Sequence, residues 1–106
     1  MQLSVCLKKC GRLMREKTIE QKLVSVVKTA GGICPKFTSP GFDGMPDRLV
    51  LMPGGRMAFV EVKAPGKKPR PLQLARHEKL RQLGFQVFIL DRPEQIGGII
   101  DAVQST

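Results

Sequence analysis

A chain of 106 residues allows one domain with one modest core. Its 42% hydrophobic and 25% charged residues suit a globular protein and exclude disorder as the starting assumption, and with no Trp and no Tyr the core must be aliphatic plus five Phe. Eighteen Lys and Arg against nine Asp and Glu leave a net charge of +9, which points to a polyanionic partner, nucleic acid first.

Residues 1–14 differ in character from the rest of the chain. They hold Lys8, Lys9 and Arg12 with no acid, and read as an extension, a disordered arm or an extra strand, with the domain proper at 15–106. From Arg15 a helix is expected, with Thr18 as a weak cap and an apolar stripe of Ile19, Leu23, Val26, Val27 and Ala30. Gly31-Gly32 stops it. Residues 33–37 read as a short strand and 38–44 as a loop rich in turn residues. Two strands come next, 45–52 and 57–63, joined by Pro53-Gly54-Gly55-Arg56, so an antiparallel hairpin is predicted. The basic, proline-rich segment 64–71 cannot be a helix interior. A second helix covers 72–83, with Leu72, Ala75, Leu80 and Leu83 as its stripe and Gly84 as its stop. A buried strand at 85–90 and a last helix from Pro93, carrying Ile96, Ile99, Ile100 and Val103, complete the order α-β-β-β-α-β-α. The fold class is therefore α/β, a mixed sheet flanked by helices, with the strand after the crossover helix parallel to its neighbour. The isoleucines of the last helix are core, or dimer-interface material.

No apolar run is long enough to span a bilayer and no signal-peptide pattern is visible, so a cytoplasmic protein without membrane contact is expected. The three cysteines do not form a disulfide framework. Cys6 and Cys10 have a spacing that zinc could use, but only Cys34 and His77 are available to complete four ligands, so reduced, inert thiols are the simpler expectation.

The chemistry concentrates at Pro46-Asp47 and Glu61-Val62-Lys63. Alternate residues of a strand share a face, so Glu61 and Lys63 project together while Val60 and Val62 enter the core. A carboxylate and an ammonium flanked by apolar residues are costly to desolvate unless paired or bound to something. With Asp47 from the adjacent strand they make two carboxylates and one cation at a sheet edge. Magnesium takes one or two carboxylates, with water and substrate phosphate completing its shell. Asp47, Glu61 and the Val62 carbonyl are the candidate ligands for Mg2+, with Mn2+ as a substitute. Lys63 is the candidate to position water or stabilise negative charge on phosphorus. Taken alone the Glu-x-Lys spacing is weak. Its strength lies in Pro-Asp opening one strand and Glu-x-Lys closing the next.

From Arg15 to about Val103 the chain resembles the VRR-NUC (virus-type replication-repair nuclease) branch of the PD-(D/E)xK nucleases. The matching residues are Glu20, Gly44-Met45-Pro46-Asp47, Glu61-Val62-Lys63 and Gln73. Residues 1–14 have no recognised counterpart. The resemblance implies a restriction-endonuclease-like core. It also gives Glu20, by helical geometry a solvated boundary residue, a place among the catalytic and metal-binding carboxylates. Gln73 becomes a residue bordering the site, orienting Lys63 or a water. Stand-alone members look like Holliday-junction resolvases, which implies a homodimer acting on branched DNA.

Lys67, Lys68, Arg70 and Arg76 are the candidate DNA contacts, expected to grip phosphate without reading sequence. Arg48 faces away from Asp47. His77, one turn after Gln73, is expected at the surface. No motif for base-specific readout or aromatic stacking is evident. The function expected is a metal-dependent, structure-selective endodeoxyribonuclease, with a nickase, a flap or single-strand nuclease, and a non-catalytic basic DNA-binding module as alternatives.

Overall fold

The computed structural model describes residues 15–106. Helix α1, Glu16–Thr29, buries Ile19, Leu23 and Val27, spaced so that one face meets the sheet. Glu16 in its first turn and Lys28 in its last suit the helix dipole. The helix starts before Thr18, which therefore lies inside the first turn and caps nothing. Its C-terminus closes as a Schellman turn, with the Gly31 N–H donating to Lys28 O and the Gly32 N–H to Val27 O. Gly31 sits at φ +93, where an L side chain is strained.

Strands β1, Arg48–Met52, and β2, Arg56–Val62, form the expected antiparallel hairpin around a short helical turn, Pro53–Gly55. Helix α2, Pro71–Gln82, carries the chain over to strand β3, Val87–Leu90, which pairs parallel with β2. A second turn, Pro93–Gln95, leads into helix α3, Ile96–Gln104. The sheet order is β1-β2-β3, so the strand that ends in Glu61 and Val62 is central.

The expected strand at 33–37 is reduced to two isolated bridges, Ile33 to Leu51 and Lys36 to Arg48. Pro35 is the physical reason. The Leu49 N–H donates to Pro35 O, but proline has no N–H to return, so the ladder is interrupted in its middle.

Each face of the sheet has its own packing. On one, α1 and α3 cover Val50, Met52, Ala58, Val60, Val62 and Leu90; Ile96, Ile99, Ile100 and Val103 are all buried there, so the α3 isoleucines are core. On the other face Phe59, Leu80 and Val87 are buried, with Phe37, Met45, Leu49 and Met57 packed around them. At about 1.5–3 kcal/mol for each fully buried aliphatic side chain, the larger α1–α3 face dominates stability. That leaves the α2 face freer to carry polar groups. Helix α2 uses this freedom: its buried residues are Gln73, His77 and Leu80, while Leu72 and Leu83 are exposed. Of the stripe expected at Leu72, Ala75, Leu80 and Leu83, Leu80 packs and the other three are exposed.

Candidate active site

The hairpin register builds the site. Arg48 lies opposite Val60, and continuing that register puts Asp47 opposite Glu61 and Pro46 opposite Val62. Leu49 and Leu51 donate toward the 33–37 segment, so the alternate residues of β1 serve β2. The N–H and C=O of Val62 therefore face Pro46, which has no N–H to offer. The Val62 N–H donates to Asp47 Oδ1, at 3.1 Å. The Val62 carbonyl is left beside two carboxylates without the ladder donor a non-proline residue would supply.

Glu61 is almost fully buried, with 3% of its surface exposed. Its Oε2 accepts from Gln73 Nε2 at 3.1 Å and lies 3.7 Å from Lys63 Nζ. Its Oε1 lies 3.4 Å from His77 Nε2. Gln73 has its other end occupied as well, since its Oε1 accepts from the Arg70 N–H at 2.8 Å. One amide thus closes the first turn of α2 and holds the buried carboxylate of β2. With Oε1 committed to a backbone donor, only the amino group is left to meet Glu61.

Burial pushes the Glu61 carboxyl up to about 7, helped by the neighbouring charge of Asp47 and opposed by Lys63. Asp47 is also raised, chiefly by burial, against the Val62 N–H bond that favours its ionised form. His77 is lowered by burial first, then by Arg81 and Lys63. It is completely buried, and its Nδ1 has no hydrogen-bond partner. The expectation of a surface histidine is therefore corrected: His77 stands behind Glu61, out of reach of a DNA strand.

No protein-family model matches the sequence. A solved structure described as a "VRR_NUC domain" matches with a TM-score of 0.76 and 33% identity, over 81% of this chain and 94% of that one. The chain belongs to the VRR-NUC family. A further relative, "Putative nuclease p44" of Acyrthosiphon pisum secondary endosymbiont phage 1, is 53% identical over 92 residues, covering 87% of this chain and 98% of its own length. The nuclease family and the mixed sheet flanked by helices, both expected from the sequence, are thereby borne out.

Within this VRR-NUC core, Asp47, Glu61, Lys63 and Gln73 come together, and the Val62 carbonyl adjoins them. Glu20 reaches them through its charge, which helps to raise Asp47, while its side chain is also paired. Its Oε2 accepts from Arg48 Nε at 2.8 Å, and Arg48 Nη1 donates to Cys34 O at 2.7 Å. Arg48 faces away from Asp47 as expected. Glu16, one turn before Glu20 on the same helix, is a second carboxylate whose charge reaches the site. Its carboxyl is raised by burial and by Asp47, with Lys63 opposing, and its charge acts in turn on Glu61. Reading the sequence missed Glu16, although its i, i+4 relation to Glu20 was the available signal.

The cationic surface divides. Lys67, Lys68 and Arg70 are exposed on the loop after Lys63, and none of them is in an ion pair among the described residues. Arg76 is committed elsewhere: its Nε donates to Asp43 O at 2.8 Å and its guanidinium lies over the Phe42 ring. The zinc set fails on position. Cys34 is buried among the α1-side residues, whereas His77 contacts Glu61 on the α2 side; burial raises the Cys34 thiol to about 11, consistent with an inert thiol. Cys6 and Cys10, like the rest of 1–14, lie outside the described residues. No group of three or more His, Cys, Asp and Glu suited to a metal exists among the described residues. No helix among them is long and apolar enough to cross a membrane.

The donor set nevertheless suits a hard divalent cation. Two carboxylates lie side by side, each raised by burial, beside a carbonyl short of a donor. A cation there offsets both the burial and the mutual repulsion.

Proposed function

We propose that this VRR-NUC chain is a divalent-metal-dependent endodeoxyribonuclease that selects DNA by structure, acting as a homodimer on branched DNA such as a four-way junction. The observation that carries this reading is the Asp47–Glu61 pair on abutting strands with Lys63 Nζ 3.7 Å from Glu61. Asp47, Glu61 and the Val62 carbonyl would hold Mg2+ or Mn2+, with Glu20 and Glu16 of α1, whose charges act on Asp47 and Glu61, assisting through water. When bound there, the metal supplies a polarised scissile phosphate and a more acidic water. Lys63 donates to the phosphoryl oxygen on which charge develops, a preorganised interaction that gains strength in a partly buried site. Gln73 and His77 fix the two oxygens of Glu61, so that its carboxylate needs little reorganisation. Lys67, Lys68 and Arg70 grip phosphates beside the cut. Branched DNA is favoured because a two-fold dimer suits paired cuts across a junction.

The test is cleavage of end-labelled four-way junction, flap, single-strand and linear duplex DNA, with Mg2+, Mn2+ or EDTA, by wild type and Asp47→Ala. Metal-dependent, paired cuts in the junction, absent from the variant, support the proposal. Cutting restricted to flaps or single strands replaces the resolvase reading with the repair-nuclease one. DNA binding without cleavage in either metal leaves a basic binding module and ends the catalytic assignment.

A further inference from the structure

The loop 38–44 carries an aromatic ring that the core does not use. Phe42 is 46% exposed. Phe37 and Phe85 each meet Phe59 edge to face, and Phe42 is not among them. Its ring lies against the Arg76 guanidinium, 3.9 Å from the centroid. Because Arg76 Nε also bonds the Asp43 carbonyl at 2.8 Å, one arginine holds both the ring and the backbone beside it.

The loop is seated and not merely draped. Gly44 has φ +91, and a Cβ there would lie 2.9 Å from Leu72 Cγ and 3.0 Å from Arg76 Cγ. The backbone therefore rests directly on α2. Asp47 follows Gly44 by three residues, and Arg76 follows Gln73 by three, so both supports run into the cleavage site. Leu72 and Leu74 on the same helix are exposed, and Lys67, Lys68 and Arg70 lead into it. An aromatic ring and apolar side chains thus share the surface with cations.

That mixture does not suit continuous duplex. Paired DNA presents phosphates and groove edges and hides the faces of its bases. An exposed ring backed by a guanidinium gains from a base whose face is free, while the nearby lysines meet its phosphates.

We propose that Phe42, held by Arg76, is a stacking platform for an unpaired nucleobase close to the scissile phosphate, and that it selects DNA with interrupted pairing over continuous duplex. This rests on the nuclease reading and names the feature of branched DNA that the site recognises. The competing explanation is that the ring only pins the loop to α2.

The experiment measures binding, so it stands apart from cleavage. Two probes carry 2-aminopurine at one position, in an unpaired bulge or in fully paired duplex of the same sequence. Wild type, Phe42→Ala, Phe42→Leu and Phe42→Trp are titrated in EDTA, and thermal melts confirm that each is folded. Loss of one base stack weakens binding by about 5- to 150-fold. The expected result is such a loss for Phe42→Ala and Phe42→Leu on the bulged probe alone, with duplex affinity unchanged and Phe42→Trp like wild type. Equal loss on both probes, no loss on either, or full retention by Phe42→Leu overturns the platform, the last because leucine still pins the loop. The nuclease reading fails separately, by absence of metal-dependent cleavage in wild type.

Discussion

Removing the charge of Glu61 is expected to stabilise the metal-free protein at alkaline pH while abolishing its chemistry. Glu61 is 3% exposed and its carboxyl lies at about 7 instead of the ordinary 4.5. Between those two values the native state keeps a proton that the unfolded chain has released, so stability falls as pH rises through that window and stays low above it. At about 1.4 kcal/mol per tenfold, the shift corresponds to roughly 3 kcal/mol, an upper figure because Lys63 and Gln73 rearrange around the ionised group. Asp47, also raised, acts in the same direction. His77 has the opposite sign: lowered from 6.5 by burial, it costs stability as pH falls below that value. Glu61→Gln keeps the shape and the hydrogen bond from Gln73. Urea unfolding in EDTA from pH 5 to 9 is the assay. The variant is expected to match wild type near pH 5 and to exceed it by up to about 3 kcal/mol at pH 8, roughly 4–8 °C in Tm for each kcal/mol. Parallel pH profiles for wild type and Glu61→Gln would refute the reasoning.

Other consequences are open to direct measurement. Mg2+ at millimolar concentration should raise the Tm of wild type at pH 8, less at pH 6, and not at all in Glu61→Gln, since a cation competes with the proton for the same carboxylates; thermal melts with and without EDTA decide this. Glu16→Gln and Arg48→Met should separate site from scaffold. The first is expected to slow cleavage with little change in urea midpoint. The second strands Glu20, 15% exposed, and is expected to cost about 3 kcal/mol while sparing the chemical step. Gln73→Leu leaves the Arg70 N–H without its partner and Glu61 Oε2 with Lys63 alone, a loss of about 1–3 kcal/mol, with kcat falling more than DNA affinity in gel-shift and single-turnover assays.

The parts of the fold that obey local rules were legible in the residues. Pro53-Gly54-Gly55 between apolar runs announced the hairpin, Gly31 and Gly84 the helix ends, and Glu61-x-Lys63 the shared face. The misreadings came where tertiary context overrode pattern. Pro35 broke a ladder whose apolar residues suggested a strand. Helix α2 turned Gln73 and His77 inward because the sheet offered them Glu61, a face that hydrophobic periodicity cannot reveal. The pairing of Glu20 with Arg48, 28 residues apart, has no local signal either, since it depends on how α1 meets β1. Phe42 looked like one more turn residue until Arg76 was seen over its ring.

The measurement that tests the central claim most directly is single-turnover cleavage of a four-way junction by Asp47→Asn beside wild type, in saturating Mg2+. Asparagine keeps an oxygen for the Val62 N–H and removes only the charge, so the fold is retained. The account predicts a fall of about a hundredfold or more in the cleavage rate, with DNA affinity within a few-fold of wild type. Equal rates in the two proteins would contradict a metal site built on Asp47 and Glu61.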